Sequence, residues 1–394
     1  MINIKNKKNC CGCGACRAVC KHEAISFIVD SEGFWYPKVD IGKCIKCGLC
    51  EKVCPFGGKS PSSLHDSTCY VGKNISKTDQ LNSSSGGVFP VIAKYILSIG
   101  GVVFGASFDG YIVKHSFIDN INDLHKLCGS KYVQSDNFES YREVKNKLNS
   151  GKTVLYVGTP CQCLSLKKYL RKEYKNLYMV DIICHGVPSP IIWKSYLSEL
   201  SQSRNRTIND ISNVKFKYKD GLKYKWNHPG FMVEWDKDCV YKEYSDFTSF
   251  ENGFLTNLFV RPSCHTCKVK RLSSQTNITI GDFWGCEKIL PTFFDNNGIS
   301  VIFVNNNKGM KLFSNIKNNL EIYNIPISDA IRYNSRVIHS SRPHPNRNAF
   351  FSSFTKNNYT IDELVKTFSK VGILQKLIFK LRNRFLNILE NHTT

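Results

Sequence analysis

Cysteine is the residue type whose spacing says most in this chain. Cys10, Cys13, Cys16 and Cys20 stand as C-x2-C-x2-C-x3-C, and the pattern returns as Cys44, Cys47, Cys50 and Cys54, followed by Pro55. Three cysteines two residues apart wrap one corner of a four-iron cubane, while the fourth points away and ligates the other cluster. The spacing predicts two [4Fe–4S] clusters with crossed ligand sets: Cys10, Cys13, Cys16 and Cys54 for the first, and Cys44, Cys47, Cys50 and Cys20 for the second. Zinc is the alternative for grouped thiols, but zinc sites are built from pairs of cysteines and have no need for triplets. Lys21 stands where a proline usually follows the fourth cysteine, which bears on the turn more than on the ligands. Cys11, inside the first loop, reads as a spectator thiol.

Such loops need a small pseudo-symmetric module to hold them, and the repeat of thirty-four residues is its signature. Residues 24–29 and 34–39 read as short strands around an Asp30-Ser31-Glu32-Gly33 turn, and the Gly-, Ser- and Pro-rich segment 57–66 reads as a linker. From Thr68 onward the pattern becomes α/β. Ser83-Ser84-Ser85-Gly86-Gly87 precedes a helix-like stretch over 88–99, and residues 102–106 begin a strand. Residues 153–157 form a second strand, followed by the loop Gly158-Thr159-Pro160-Cys161-Gln162, a helix over 164–172 and a strand over 177–183 that ends on Cys184-His185-Gly186. This βαβ order predicts two parallel strands whose carboxyl ends open on one side of the sheet, where ligands bind in open α/β folds. Residues 205–250, aromatic and lysine-rich with alternating stretches, read as strands of a cap or insertion.

Cys161 and Cys184 each follow a strand of that unit and are expected near one another. Arg261-Pro262-Ser263-Cys264-His265-Thr266-Cys267 adds a C-x2-C pair. These four cysteines are candidates for a third cubane; the alternative is buried thiols or a substrate-active cysteine. His185 is a candidate proton donor to substrate or to a cluster sulfur, against a purely structural hydrogen bond. Cys69, Cys128, Cys163, Cys239 and Cys286 receive no role.

Composition sets the frame. Eighteen cysteines without a legible secretory signal argue for ligands over disulfides, and no run of about eighteen apolar residues occurs. The expected location is cytoplasmic. A net charge of +22 favours anionic partners: an acidic electron carrier, an anionic small substrate or a membrane surface. No nucleic-acid recognition motif is present. Residues 371–390 carry a helical apolar stripe beside Lys376, Lys380 and Arg384, a basic amphipathic helix for packing within the fold or an oligomer, or for a membrane surface.

Beyond the cysteine repeat, the chain resembles the beta subunits of coenzyme F420 hydrogenases and dehydrogenases. The resemblance is carried by Ser84-Ser85-Gly86-Gly87, Gly158-Thr159-Pro160-Cys161-Gln162, Cys184-His185-Gly186-Val187-Pro188-Ser189 and Asp282-Phe283-Trp284-Gly285, in the family's order across residues 8–350. It implies a flavin, usually FAD, and in many relatives a further four-iron cluster beside it; it leaves the substrate open. By the same resemblance Thr159, Pro160, Gln162 and Asp282 are expected at the cofactor, and Trp284 at the cofactor or closing its pocket. The residues agree with this: Ser84, Ser85, Gly86 and Gly87 open a helix, where free N–H groups and small side chains admit a phosphate, although a small-residue cap without a ligand would look the same. Lys131 is a candidate counter-charge, or a solvated lysine.

The expected architecture is therefore an α+β two-cluster ferredoxin module over residues 1–60, a larger α/β flavin-binding body over 61–350 and a helical tail over 351–394. The expected function is that of an iron–sulfur flavoprotein oxidoreductase, passing electrons between a ferredoxin-like carrier or partner redox subunit and a small organic substrate. The alternative is a non-catalytic electron-relay subunit of a larger complex.

Overall fold

The computed structural model describes residues 1–57, 67–356 and 359–370. Most of the expected linker and the whole stretch 371–390 lie outside the described residues.

The repeat of ligand loops is also a repeat of backbone conformation. Gly12 and Lys46, thirty-four positions apart, both take positive φ, at +69° and +56°; Gly14 and Gly48 follow at +83° and +73°. Each loop then runs into a short helix, Ala15–Val19 or Leu49–Lys52. Between the loops, strands β1 (Ile25–Val29) and β2 (Trp35–Val39) pair antiparallel. Asp30 closes their turn, its Oδ1 accepting from the N–H groups of Glu32 and Phe34.

The body is built on β3 (Thr68–Asn74), β4 (Val102–Asp109), β5 (Ile112–Ile118), β6 (Val154–Gly158) and β7 (Leu177–Ile182). Strands β8 (Asn213–Tyr218), β9 (Gly230–Asp236) and β10 (Cys239–Tyr244) form a separate antiparallel sheet, in the segment read as an insertion. Strands β11 (Ile278–Asp282), β12 (Ser300–Val304) and β13 (Leu320–Asn324) return to the large sheet, whose order is β13-β3-β12-β11-β7-β6-β4-β5. β4, β6, β7 and β11 run parallel, so the expected βαβ unit is present as β6, helix Pro160–Leu170 and β7. That helix starts four residues before its expected beginning. Pro160 occupies its first turn, and the Gln162 Oε1 accepts from the Thr159 N–H (2.8 Å) and hydroxyl (3.0 Å), so the expected loop is already the helix cap.

One core lies between the sheet and helix Val88–Ser98, whose Val88, Ile92 and Ile96 pack on Val103, Leu155 and Val180. A second joins β8 and β9 to helices Pro190–Gln202 and Ser249–Leu255 through Trp193, Phe216, Phe231 and Phe250. Phe350, Phe351, Ile361, Leu364 and Val365 belong to this second core, so helices Arg347–Phe354 and Ile361–Phe368 are continuous with the body; the expected boundary at residue 350 falls inside the first of them. Among the described residues no helix is long and apolar enough to cross a membrane.

The module is fastened to the body along its first ligand loop. Ala15, Ala18 and Val53 enter the same core as Tyr141, Val144, Cys163 and Leu166. Arg347 and Glu32 form a bidentate ion pair (2.8 and 2.6 Å), and Arg142, Lys168 and Lys268 donate to the carbonyls of Ala18, Cys54 and Phe56. The two loops thus meet different surroundings. A Cβ on Gly14 would stand 2.3 Å from Phe138 Cδ1, whereas one on Gly48 would meet nothing within 4 Å. Gly14→Ala adds a steric collision to the left-handed strain and should cost roughly 2–4 kcal/mol; Gly48→Ala carries the strain alone, about 1 kcal/mol. Anaerobic thermal unfolding of the iron-replete protein checks this, and equal losses for the two variants would contradict the packing difference.

Candidate functional site

The N-terminal thiols lie in two groups. Cys16 lies in the electrostatic field of Cys13, Cys10 and Cys54, and Cys10 in that of Cys13 and Cys54. Cys20 instead lines a small hollow with Cys44, Cys47 and Cys50. Cys161, Cys184, Cys264 and Cys267 form a third interacting group, with Cys161 in the first turn of the helix after β6, Cys184 just past β7, Cys264 in the short helix Pro262–Thr266 and Cys267 at its end. Among the described residues no three His, Cys, Asp or Glu side chains converge on a single ion. A four-iron cluster makes a different demand, because each thiolate sits on its own iron and the sulfurs surround a larger body.

Burial raises the thiol pKa of Cys10, Cys16, Cys54, Cys264 and Cys267, and pushes Cys184 up to about 12. Cys13 and Cys161 move the other way, Cys13 to about 7, chiefly through hydrogen bonding with Cys11. Cys11 therefore stands between a member of the first set and a member of the third, which its reading as a spectator did not foresee. Cations face the thiols: Arg261 at Cys10, Cys13 and Cys161, Lys270 at Cys184 and Cys267, and Lys168 at Cys54.

Arg261 is fully buried in spite of its charge. Its Nε donates to Cys10 O (2.9 Å), Nη1 to Gln134 Oε1 (3.1 Å) and Nη2 to Trp35 O (2.9 Å), with Nη2 also 3.9 Å from Cys10 Sγ. The guanidinium lies over the rings of Phe34 and Tyr36. Gly12 has no room for a side chain beneath it, since a Cβ would stand 2.6 Å from Gln134 Nε2 and 2.9 Å from Arg261 Nη1.

A cavity of about 260 Å³ opens at the carboxyl edge of the parallel strands, close to the lower end of small-molecule sites. Cys11, Cys13, Thr159, Cys161 and Gln162 line it, as do Ser84, Ser85, Gly87, Lys131 and Asp282. Ser85 bonds to Ile299 O beside the start of β12, and Thr159 follows β6. Three strand spacings separate those positions, roughly 14 Å at about 4.8 Å each. Lys131 donates to the carbonyls of Cys128 (2.8 Å) and Gly129 (3.2 Å), forms no ion pair among the described residues, and is pushed down to about 8 by burial. Lys219, pushed by burial to about 7, holds the serine loop from behind through the carbonyls of Gln80 and Ser85.

Other expected residues are engaged within the fold. Gly86 and Pro160 do not line the cavity. Gly86 is buried between strands: its N–H donates to Ser300 Oγ, and a Cβ would stand 2.5 Å from Gly72 O, so glycine is required there by backbone contact. His185 also lies off the cavity, with Nε2 2.8 Å from Asn257 Oδ1 and its ring edge-on to Phe254; burial lowers its pKa to about 4. Asp282 is engaged by Lys217 (2.5 Å) and by the Trp226 indole N–H (2.9 Å), and Trp284 stacks on Trp226 at 5.0 Å. The cavity's own histidine, His115, carried no sequence signal. Its Nε2 meets Val157 O (3.0 Å), its Nδ1 meets the Ser135 hydroxyl, and burial pushes it down to about 4, so it is neutral near pH 7.

Two stretches of the chain match known protein families. Residues 9–58 match the 4Fe-4S dicluster domain, and residues 151–330 match the C terminus of the coenzyme F420 hydrogenase/dehydrogenase beta subunit. The coenzyme F420-dependent sulfite reductase of Methanocaldococcus jannaschii is 26% identical over 57% of this chain and 34% of its own length. The F subunit of the F(420)H(2) dehydrogenase of Methanosarcina mazei is 22% identical over 54% of this chain and 65% of its own length. The match thus spans about a third of one relative and just under two thirds of the other. A chain of the F420-reducing [NiFe] hydrogenase complex of Methanosarcina barkeri, from a xenon-derivatized structure, superposes with a TM-score of 0.44 at 16% identity, over 78% of this chain and 91% of that one. With a ferredoxin-like N-terminal domain and a larger α/β body, the chain joins a 4Fe-4S dicluster domain to a region, residues 151–330, that matches the C terminus of coenzyme F420 hydrogenase/dehydrogenase beta subunits.

Proposed function

We infer that this chain is an iron–sulfur flavoprotein oxidoreductase, exchanging electrons between a one-electron protein partner and a small anionic organic substrate. The observation that carries the reading is one cavity walled both by redox-capable thiols and by a cradle for an anion. The ligand sets are Cys10, Cys13, Cys16 and Cys54; Cys44, Cys47, Cys50 and Cys20; and Cys161, Cys184, Cys264 and Cys267. Bound clusters supply one-electron chemistry, and a bound flavin converts it to two-electron chemistry. The protein's own part is binding and orientation. Ser84, Ser85 and Gly87, at the N-terminus of helix Val88–Ser98, offer small side chains and the positive end of the helix to a phosphate, with Lys131 as counter-charge. Arg261, Lys270 and Lys168 offset the negative charge of the thiolate sets. His115, neutral and fixed at both ring nitrogens, serves as a rigid, uncharged wall.

The flavin half of the reading is tested at Lys131. Its ammonium is charged below about pH 8 and loses its proton as pH rises through that value. FAD affinity of the cluster-replete protein should therefore fall above about pH 8, and Lys131→Met should weaken it about tenfold at pH 7 while flattening the pH dependence. Equilibrium dialysis with quantification of released flavin measures both. Well-folded, iron-replete protein that takes up no flavin would turn the reading toward an electron-relay subunit.

The third thiol set is tested by iron. Anaerobically reconstituted protein should hold about twelve irons per chain, falling to about eight in a Cys161→Ser, Cys184→Ser double variant with the N-terminal clusters intact. Eight irons in both proteins would leave those four cysteines as structural thiols.

A further inference from the structure

The two ligand loops share one backbone but not one environment. Gly12 and Gly14 of the first are pressed against Arg261, Gln134 and Phe138. In the second, the position matching Gly12 is Lys46, an exposed side chain at φ +56°, and Gly48 has open space around it. The hollow shared by Cys20, Cys44, Cys47 and Cys50 is lined wholly by residues numbered 1 to 50, with no contribution from the body. Of the eighteen cysteines, Cys47 is the one that is exposed.

What surrounds Cys47 is apolar at the centre and cationic at the rim. Ile41 is 72% exposed and Ile45 63% exposed, with Lys43 between them in sequence and Lys46 next to Ile45. Lys21, Lys43 and Lys46 are exposed and make no ion pair among the described residues. Of the acids on this side, Glu51 is paired with the N-terminal ammonium (2.7 Å), while Glu23 and Asp40 are exposed. Exposed isoleucines rimmed by free lysines over a redox ligand suit a transient interface. Apolar contact holds the partner close, and the lysines steer and orient an acidic surface.

We propose that the Cys44–Cys50 loop, with Ile41, Ile45, Lys21, Lys43 and Lys46, is the docking face for a small acidic one-electron carrier protein. The proposal rests on reading Cys20, Cys44, Cys47 and Cys50 as a cluster ligand set. The reduced carrier is oxidised by one electron there, and the module is reduced by one. Docking at the first loop is precluded because the body already covers it.

The probe is an acidic plant-type [2Fe–2S] ferredoxin, used with full-length, anaerobically reconstituted protein whose iron content is measured for every variant. Titration calorimetry with the oxidised probe gives the dissociation constant at several salt concentrations, and stopped-flow absorbance gives the reduction rate with the reduced probe. Lys43→Glu/Lys46→Glu should weaken binding about tenfold at low salt and flatten its salt dependence, and Ile45→Asp should weaken it at every salt concentration. Reduction by dithionite should change less than about twofold in each. Lys311→Glu/Lys317→Glu, exposed lysines at the far edge of the sheet, is the control and should bind like the unaltered protein. Iron-replete variants that bind the probe as the unaltered protein does, or a control weakened equally, would overturn the docking face and leave the ligand reading standing. Cluster iron absent from the module of the unaltered protein would overturn the ligand reading, and the docking face with it.

Discussion

A buried guanidinium governs how the two parts of the molecule meet. Arg261 has no solvent contact, so its charge must be met by protein, and the groups that meet it are Cys10 O and Trp35 O from the module and Gln134 from the body. Removing a partner from such a charge costs far more than any single neutral hydrogen bond. The module can therefore sit on the body in one orientation, with its first loop inward. Gly12 follows from this, because the arginine occupies the space a side chain would need. So does the thiol wall of the cavity, since Cys11 and Cys13 reach it from the loop that Arg261 fixes.

The same constraint accounts for the electrostatics of the thiols. Burial holds most of them protonated, and a metal cluster must displace those protons to bind. Each set that faces the body has a cation against it: Arg261, Lys168 or Lys270. Among the described residues the second set has no such buried cation; its Cys47 is exposed, beside the exposed Lys43 and Lys46. A negatively charged group in that place is screened by solvent and offset by those lysines, whose outward charge leaves the rim cationic toward a partner bearing acids.

Much of this was legible because it is encoded in short spacing. The crossed grouping of the eight N-terminal cysteines follows from C-x2-C-x2-C-x3-C, and the approach of Cys161 to Cys184 follows from a βαβ unit that needs only local periodicity. Long-range partners left no such trace. Arg261 lies 251 residues from Cys10, and although it opens the stretch that carries Cys264 and Cys267, nothing in sequence ties it to the first ligand loop. His115 reaches the cavity because β5 pairs with β4, and Lys219 reaches the back of the serine loop because the β8–β9 insertion folds against it. Gly86 shows the opposite error: a glycine in a phosphate-like motif is needed for its contact with Gly72 and Ser300, while Ser84, Ser85 and Gly87 beside it face the cavity.

Strand order explains why one cavity can have two chemically different walls. In a wholly parallel sheet every edge at this side would be a carboxyl end leading into a crossover. Here β12 runs antiparallel to β11 and β3 antiparallel to β12, so the amino end of β12 and the carboxyl end of β3 arrive together at the edge where β6 and β7 also end. Ser300 and Gly72 then pin Gly86 between them, setting the serine loop on one side of the edge, with the cysteine-bearing turn after β6 roughly 14 Å away at about 4.8 Å per strand. An occupant that satisfies both walls is elongated, anionic where it meets Lys131 and the helix N-terminus, and redox-active where it meets the thiols. A compact anion would leave the thiol wall unused, and a neutral aromatic would leave Lys131 uncompensated. Those two demands, made at opposite ends of one cavity, are the physical ground on which the proposal of a nucleotide-like redox cofactor, in place of a simple anion, rests.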